Sequence, residues 1–86
     1  MKQFSYTVKS PRGIGAVIAN QLTAQAKEYP GTTVTLTKGN QTVRLGQLLK
    51  LLTMKIRQGD RITLRCDGPD EENAFEVMGW YLCDNL

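Results

Sequence analysis

The chain has 86 residues, with eleven Lys or Arg against eight Asp or Glu, two cysteines, no histidine and a net charge of +3. That length makes one domain with a limited core, burying about 60–65% of the surface its unfolded form exposes. No apolar run approaches the roughly 20 residues that span a bilayer, and the start "MKQFSYTV" lacks a signal-peptide core, so no membrane role and a cytoplasmic address are expected.

"QFSYTV" alternates Phe4, Tyr6 and Val8 against polar neighbours and predicts a half-buried strand, which Pro11 and Gly13 break. From Ala16 to Tyr29 the period changes. Ala19, Leu22, Ala26 and Tyr29 recur every three or four residues, an amphipathic helix ended by Pro30-Gly31 with Gly31 in the C-terminal role. "TTVTLTK" and "QTVRL" place Val34, Leu36, Val43 and Leu45 inward around a tight Gly39-Asn40 turn, the clearest hairpin in the chain. "GQLLKLLTMKI" predicts a short helix, "RQGD" a turn, and "RITLRCD" a fourth strand with Ile62, Leu64 and Cys66 on one face. The last helix follows Gly68-Pro69. Asp70 suits its N-cap, Glu71 and Glu72 complement the positive end of its dipole, and its stripe is Ala74, Val77/Met78 and Tyr81/Leu82.

The order β-α-β-β-α-β-α, with one apolar face per strand, predicts an α+β fold. It is an open-faced β-sandwich, a four-stranded antiparallel sheet covered on one side by helices, in a single domain over residues 1–86. Cys66 reads as a buried thiol. The sequence allows a Cys66–Cys83 disulfide, although such bonds are rare in cytosolic proteins, and two cysteines without histidine make a poor zinc site, so no metal and no cofactor are expected.

Charge is unevenly spread. Between Lys38 and Arg65 stand seven basic residues and one acid, Asp60, whereas five of the eight acids fall between Asp67 and Glu76. A basic middle suits an acidic partner or a nucleic acid, although solvated faces explain it more simply. No Phe, Tyr or Trp lies between Lys38 and Arg65, which argues against single-stranded nucleic acid.

"SPRGIGAVIAN" sets Gly13-Ile14-Gly15 between a strand and a helix. A dinucleotide loop would place a small residue at Ile18 and an acid near Lys38, and this chain does neither. What remains is an anion-shaped helix start. Arg12, Gly13, Gly15, Ala16 and Val17, with Lys9 nearby, offer a site for phosphate or sulfate.

Together, element order and residues resemble the HPr family, the small phosphocarriers of the bacterial phosphoenolpyruvate:sugar phosphotransferase system. Gly13-Ile14-Gly15-Ala16-Val17-Ile18-Ala19 matches four of seven positions of the family signature Gly-Ile-His-Ala-Arg-Pro-Ala. "GNQTVRLGQLLKLLTMKIRQGDRITLRCDGPDEENA" continues the resemblance, which runs from about Lys2 to Leu82. In the family the histidine imidazole takes a phosphoryl group from one protein and gives it to another, aided by the arginine.

The resemblance implies that Gly15 stands at the histidine position, Val17 at the arginine position and Ile18 at the proline position. Gln47 falls where low-GC Gram-positive members carry a regulatory serine, and Gly46 through Leu52 contains no hydroxyl. Thr53 reads as a helix-end residue and Ser10 as a loop or cap residue. No catalytic residue is therefore expected, and the protein is not expected to be an enzyme. The family's docking face maps to Leu48, Leu49, Leu52, Lys50 and Val17, with Lys55 alongside. Because "LLKLL" turns through about 500°, some leucine must face water. The expected role is a silent, regulatory or docking module that binds a phosphotransferase-system component or a transcription regulator. The alternatives are a phosphocarrier using another residue, or a relic or structural domain without phosphotransfer.

Overall fold

The structure, a computed structural model, describes all residues from Met1 to Leu86. Alternating sequence builds its sheet. β1 (Lys2–Thr7), β2 (Thr33–Lys38), β3 (Gln41–Arg44) and β4 (Arg61–Asp67) pair antiparallel in the order β1-β4-β2-β3. The register sets Phe4 and Leu36 opposite Leu64, Tyr6 opposite Ile62, and Val43 opposite Leu36, so one face collects the apolar side chains of all four strands. On the other face hydroxyls pair across strands, Ser5 with Thr63 and Thr37 with Thr42, both at 3.0 Å.

Three helices cover the apolar face: α1 (Ala16–Lys27), α2 (Leu48–Thr53) and α3 (Glu71–Asn85). α3 lies along β1 and β4, α2 packs against β3 and α1, and α1 also meets α3. This is the expected open-faced sandwich. A single cluster of 19 buried apolar residues forms the core, with Leu22, Leu36, Leu51, Ile62, Leu64, Met78 and Leu82 fully enclosed. The predicted helical stripes are largely inside: Ala19, Leu22 and Ala26 on α1, and Ala74, Met78 and Leu82 on α3. Tyr29 and Tyr81 are half-buried, and Val77 faces solvent rather than the core.

Both helix ends read from sequence need correction. α1 stops at Lys27, because Pro30 disfavours helical backbone at Tyr29. Gly31 does not take the left-handed conformation; the Thr32 N–H closes the turn onto the Tyr29 carbonyl at 3.0 Å. Asp70 holds the N-cap position of α3, but its carboxylate makes no capping bond. Instead the Thr32 hydroxyl accepts the Asp70 N–H at 2.9 Å, and the Gly68 carbonyl accepts the Glu71 N–H at 3.1 Å. The two segments of the chain cross so closely that a Cβ on Gly68 (φ +152°) would lie 2.6 Å from the Gly31 carbonyl oxygen. The helix is capped across the crossing, out of reach of local sequence.

α2 is shorter than "GQLLKLLTMKI", since Lys55 leaves the helix at φ +52°. Lys38 reaches over that end and donates to the carbonyls of Met54 (3.3 Å) and Lys55 (3.0 Å), a cation at the negative helix terminus. It also pairs with Asp60 at 2.9 Å, and Asp60 accepts the Arg57 N–H at 2.8 Å. The two cysteines are unpaired, Cys66 buried and Cys83 exposed. Burial, and then the charge of Glu71, pushes the Cys66 thiol up to about 11.

The Lys38 hydrogen bond, then the Arg57 N–H, holds the Asp60 carboxyl below its ordinary 3.8. A depressed folded-state pKa stabilises above the unfolded value, and that stabilisation is lost as pH falls through the folded value. Asp60→Asn should therefore lower the thermal midpoint at pH 7, and its gap from wild type should narrow progressively as pH falls through 3.8 and below. Melting curves across acid pH read this directly.

Candidate functional site

The segment between β1 and α1 is fixed from two sides. The Val8 N–H donates to the Asp60 carbonyl at 2.9 Å, the Gly59 N–H donates to the Val8 carbonyl at 2.8 Å, and the Gln58 amide donates to the Lys9 carbonyl at 3.2 Å. The N–H groups of Lys9 and Ser10 both donate to the Leu86 carbonyl. A tight turn follows, with the Arg12 N–H on the Ser10 hydroxyl (3.3 Å) and the Gly13 N–H on the Ser10 carbonyl (3.1 Å).

Gly13 has φ +60°, and a Cβ there would collide with the Ile56 carbonyl oxygen and lie 2.9 Å from the Arg57 Cα. Only glycine admits this approach. The next residue, Ile14, is buried, and its N–H donates to the same Ile56 carbonyl at 3.1 Å. The mouth of α1 is thereby locked beside the exit from α2.

Gly15 is different. It is the N-cap, with ordinary extended backbone (φ −98°, ψ −172°), and its carbonyl accepts the Ala19 N–H at 2.9 Å. Nothing lies within 4 Å of where its Cβ would be. Any side chain fits there and points to solvent at the start of the helix. The first turn of α1 has no side-chain cap and no acid, so it offers free N–H groups.

Of the residues predicted to hold an anion, Arg12, Gly15, Ala16 and Val17 are exposed around this mouth. Gly13 is not available: it is buried, and its N–H is spent on Ser10. Its glycine is required by backbone crowding, which in sequence looks the same as a phosphate-cradling glycine.

The predicted docking residues divide by helical geometry. Leu51 is buried, Leu48 and Leu52 are half-buried against the core, and Leu49 is 77% exposed beside exposed Lys50. Val17 is 70% exposed on α1, which packs against α2. Gln47 is an exposed N-cap without a capping bond, and the Thr53 hydroxyl donates to the Lys50 carbonyl at 2.7 Å, a helix-end role. Sequence reading passed over Trp80, which is 73% exposed in a groove with Phe4 and Phe75. The available signal was its place off the Ala74–Met78–Leu82 stripe.

Residues 2–82 match the family model described as "PTS HPr component phosphorylation site". The chain belongs to the HPr family. It is 32% identical over 84 residues to the phosphocarrier protein HPr of Lysinibacillus sphaericus, covering 98% of this chain and 94% of that one. To the HPr of Mycoplasma genitalium it is 31% identical over 78 residues, covering 91% and 89%. A solved Mycoplasma histidine-containing phosphocarrier protein shares the fold, with a TM-score of 0.90 at 23% identity and coverage of 96% and 93%. This HPr-family chain nevertheless has no histidine in its 86 residues.

The two mouth glycines should respond oppositely to one methyl group. Gly13→Ala should cost about 2–4 kcal/mol, through strained backbone and collision. Gly15→Ala should cost under about 1 kcal/mol, the loss of a good N-cap residue. Urea unfolding of the two variants measures the difference.

Proposed function

We propose that this HPr-family protein docks on phosphotransferase-system partners, or on a transcription regulator that uses the same face, without carrying a phosphoryl group on an imidazole. One observation carries the reading: the chain contains no histidine. On the family resemblance, Gly15 occupies the histidine place, Val17 and Ile18 replace arginine and proline, and Gln47 replaces the regulatory serine. The open space at Gly15 supports this, because a side chain is accommodated there without repacking.

The contact surface on this reading is Val17 and Leu49, with Leu48 and Leu52 at its edge and Lys50 for charge. Val17 extends an apolar patch where a carrier has a guanidinium. Arg12 and the N–H groups of Gly15, Ala16 and Val17 offer an anion-binding rim for free phosphate or sulfate. The reading places the protein in the cytoplasm, and no helix is long and apolar enough to cross a membrane.

The relatives' name, phosphocarrier, favours a second reading, transfer through another residue. Ser10 is the hydroxyl at the mouth, and its oxygen accepts the Arg12 N–H.

A competition assay tests the docking reading. In transfer from the phosphoenolpyruvate-dependent enzyme to a histidine-bearing HPr, this protein should act as an inhibitor. Leu49→Glu should raise the half-inhibitory concentration about tenfold, the effect of losing about 1.4 kcal/mol of contact. Because Leu49 is exposed, the change should leave stability within about 0.5 kcal/mol. Absence of inhibition at every ratio, or inhibition indifferent to Leu49→Glu, would overturn this docking face.

A further inference from the structure

A second surface lies away from the α1–α2 face. Between β1 and α3 runs a groove of about 660 Å³. Phe4 and Phe75 form its floor, edge to face with ring centres 5.3 Å apart and planes at 89°. Gly79 lets the Phe4 ring approach, since a Cβ there would lie 3.3 Å from it. Trp80 stands on the wall, 73% exposed. A folded chain this small has little apolar surface to spare, and here its largest aromatic is left out of the core.

Two further features adjoin the groove. β1 ends the sheet and pairs only with β4, so its outer edge presents backbone N–H and C=O groups without a ladder partner. Charge on the helix side is one-signed: α3 carries Glu71, Glu72, Glu76 and Asp84 and no basic residue. Glu71 pairs with the chain's amino terminus, whereas Glu72 and Glu76 are exposed on the groove with no ion-pair partner. Lys2 is the one cation lining it.

We propose that this groove receives an extended, cationic segment of a partner protein, added as a further strand along the outer edge of β1. Its backbone completes the open ladder, its apolar side chains meet Phe4 and Phe75, and a Lys or Arg lies over the Trp80 ring against Glu72 and Glu76. Charge selects this occupant. A second copy of the chain joined edge to edge brings Lys2 as its groove cation together with the same two glutamates. Anionic lipid or nucleic acid meets like charge.

Trp80 is the only tryptophan, so its emission reports on this groove alone. The probe is a capped octapeptide of alternating Lys and Val, titrated against a Glu–Val counterpart and an N-methylated Lys–Val version that cannot pair with a strand edge. The Lys–Val peptide should change Trp80 emission saturably, half-complete below about 1 mM. The Glu–Val peptide should change nothing, and N-methylation should weaken the response. Glu72→Lys/Glu76→Lys, checked to be folded by a cooperative melting transition, should weaken it about tenfold or more. The proposal is overturned by absence of saturation, by equal response to the Lys–Val and Glu–Val peptides, or by indifference to N-methylation or to the double variant. A concentration-dependent emission change in the protein alone would assign the groove to self-pairing and also overturn it.

Discussion

Backbone meets backbone where Gly13 passes Ile56 and Arg57, and the architecture of the candidate docking face depends on that contact. The Ile56 carbonyl accepts the Ile14 N–H and sits where any Gly13 side chain would be, so the start of α1 has one position relative to the end of α2. Lys38 holds the other side of the same junction by bonding the Met54 and Lys55 carbonyls at the exit of α2 and Asp60 together. With both helices fixed, exposure is decided by helical phase alone: Leu51 goes in and Leu49 goes out.

On our reading, this explains how chemistry can separate from fold in this chain. The residues that make the mouth are Gly13, through its backbone, and Ile14, through its buried side chain. Two of the residues at the resemblance-implied chemical positions contribute little to packing: Gly15 has no neighbour at its Cβ and Val17 is exposed, whereas Ile18 is half-buried against the core. Changing them leaves the mouth standing. A chain about 31–32% identical to named phosphocarriers can thus keep their fold without an imidazole. On our reading the surface left behind is a binding surface, and substitution of an arginine position by Val17 makes it more apolar.

Much of the fold was legible because its signals are local. Alternation wrote the strands, Gly39-Asn40 wrote the hairpin, and the three-to-four spacing of Ala19, Leu22 and Ala26 wrote the buried side of α1. What escaped was set by contacts between distant segments. The cap of α3 comes from Thr32, thirty-eight positions before the Asp70 N–H that it accepts, so Asp70 looked sufficient. Gly13 reads as part of an anion site because nothing local reveals that Ser10 takes its N–H or that Ile56 stands behind it. Trp80 was missed for another reason: an aromatic off the apolar stripe reads as incidental until the fold sets it beside Phe4 on an open sheet edge.

Phosphoryl acceptance by the protein alone and by a restored mouth is the most direct measurement of the central claim, that the fold is intact and the acceptor is absent. Wild type and Gly15→His/Val17→Arg would be incubated with phosphoenolpyruvate and the enzyme that charges HPr, and their intact masses compared. Wild type should stay unmodified and the folded variant should gain one phosphoryl group. A stoichiometric phosphoryl adduct on wild type would contradict the claim.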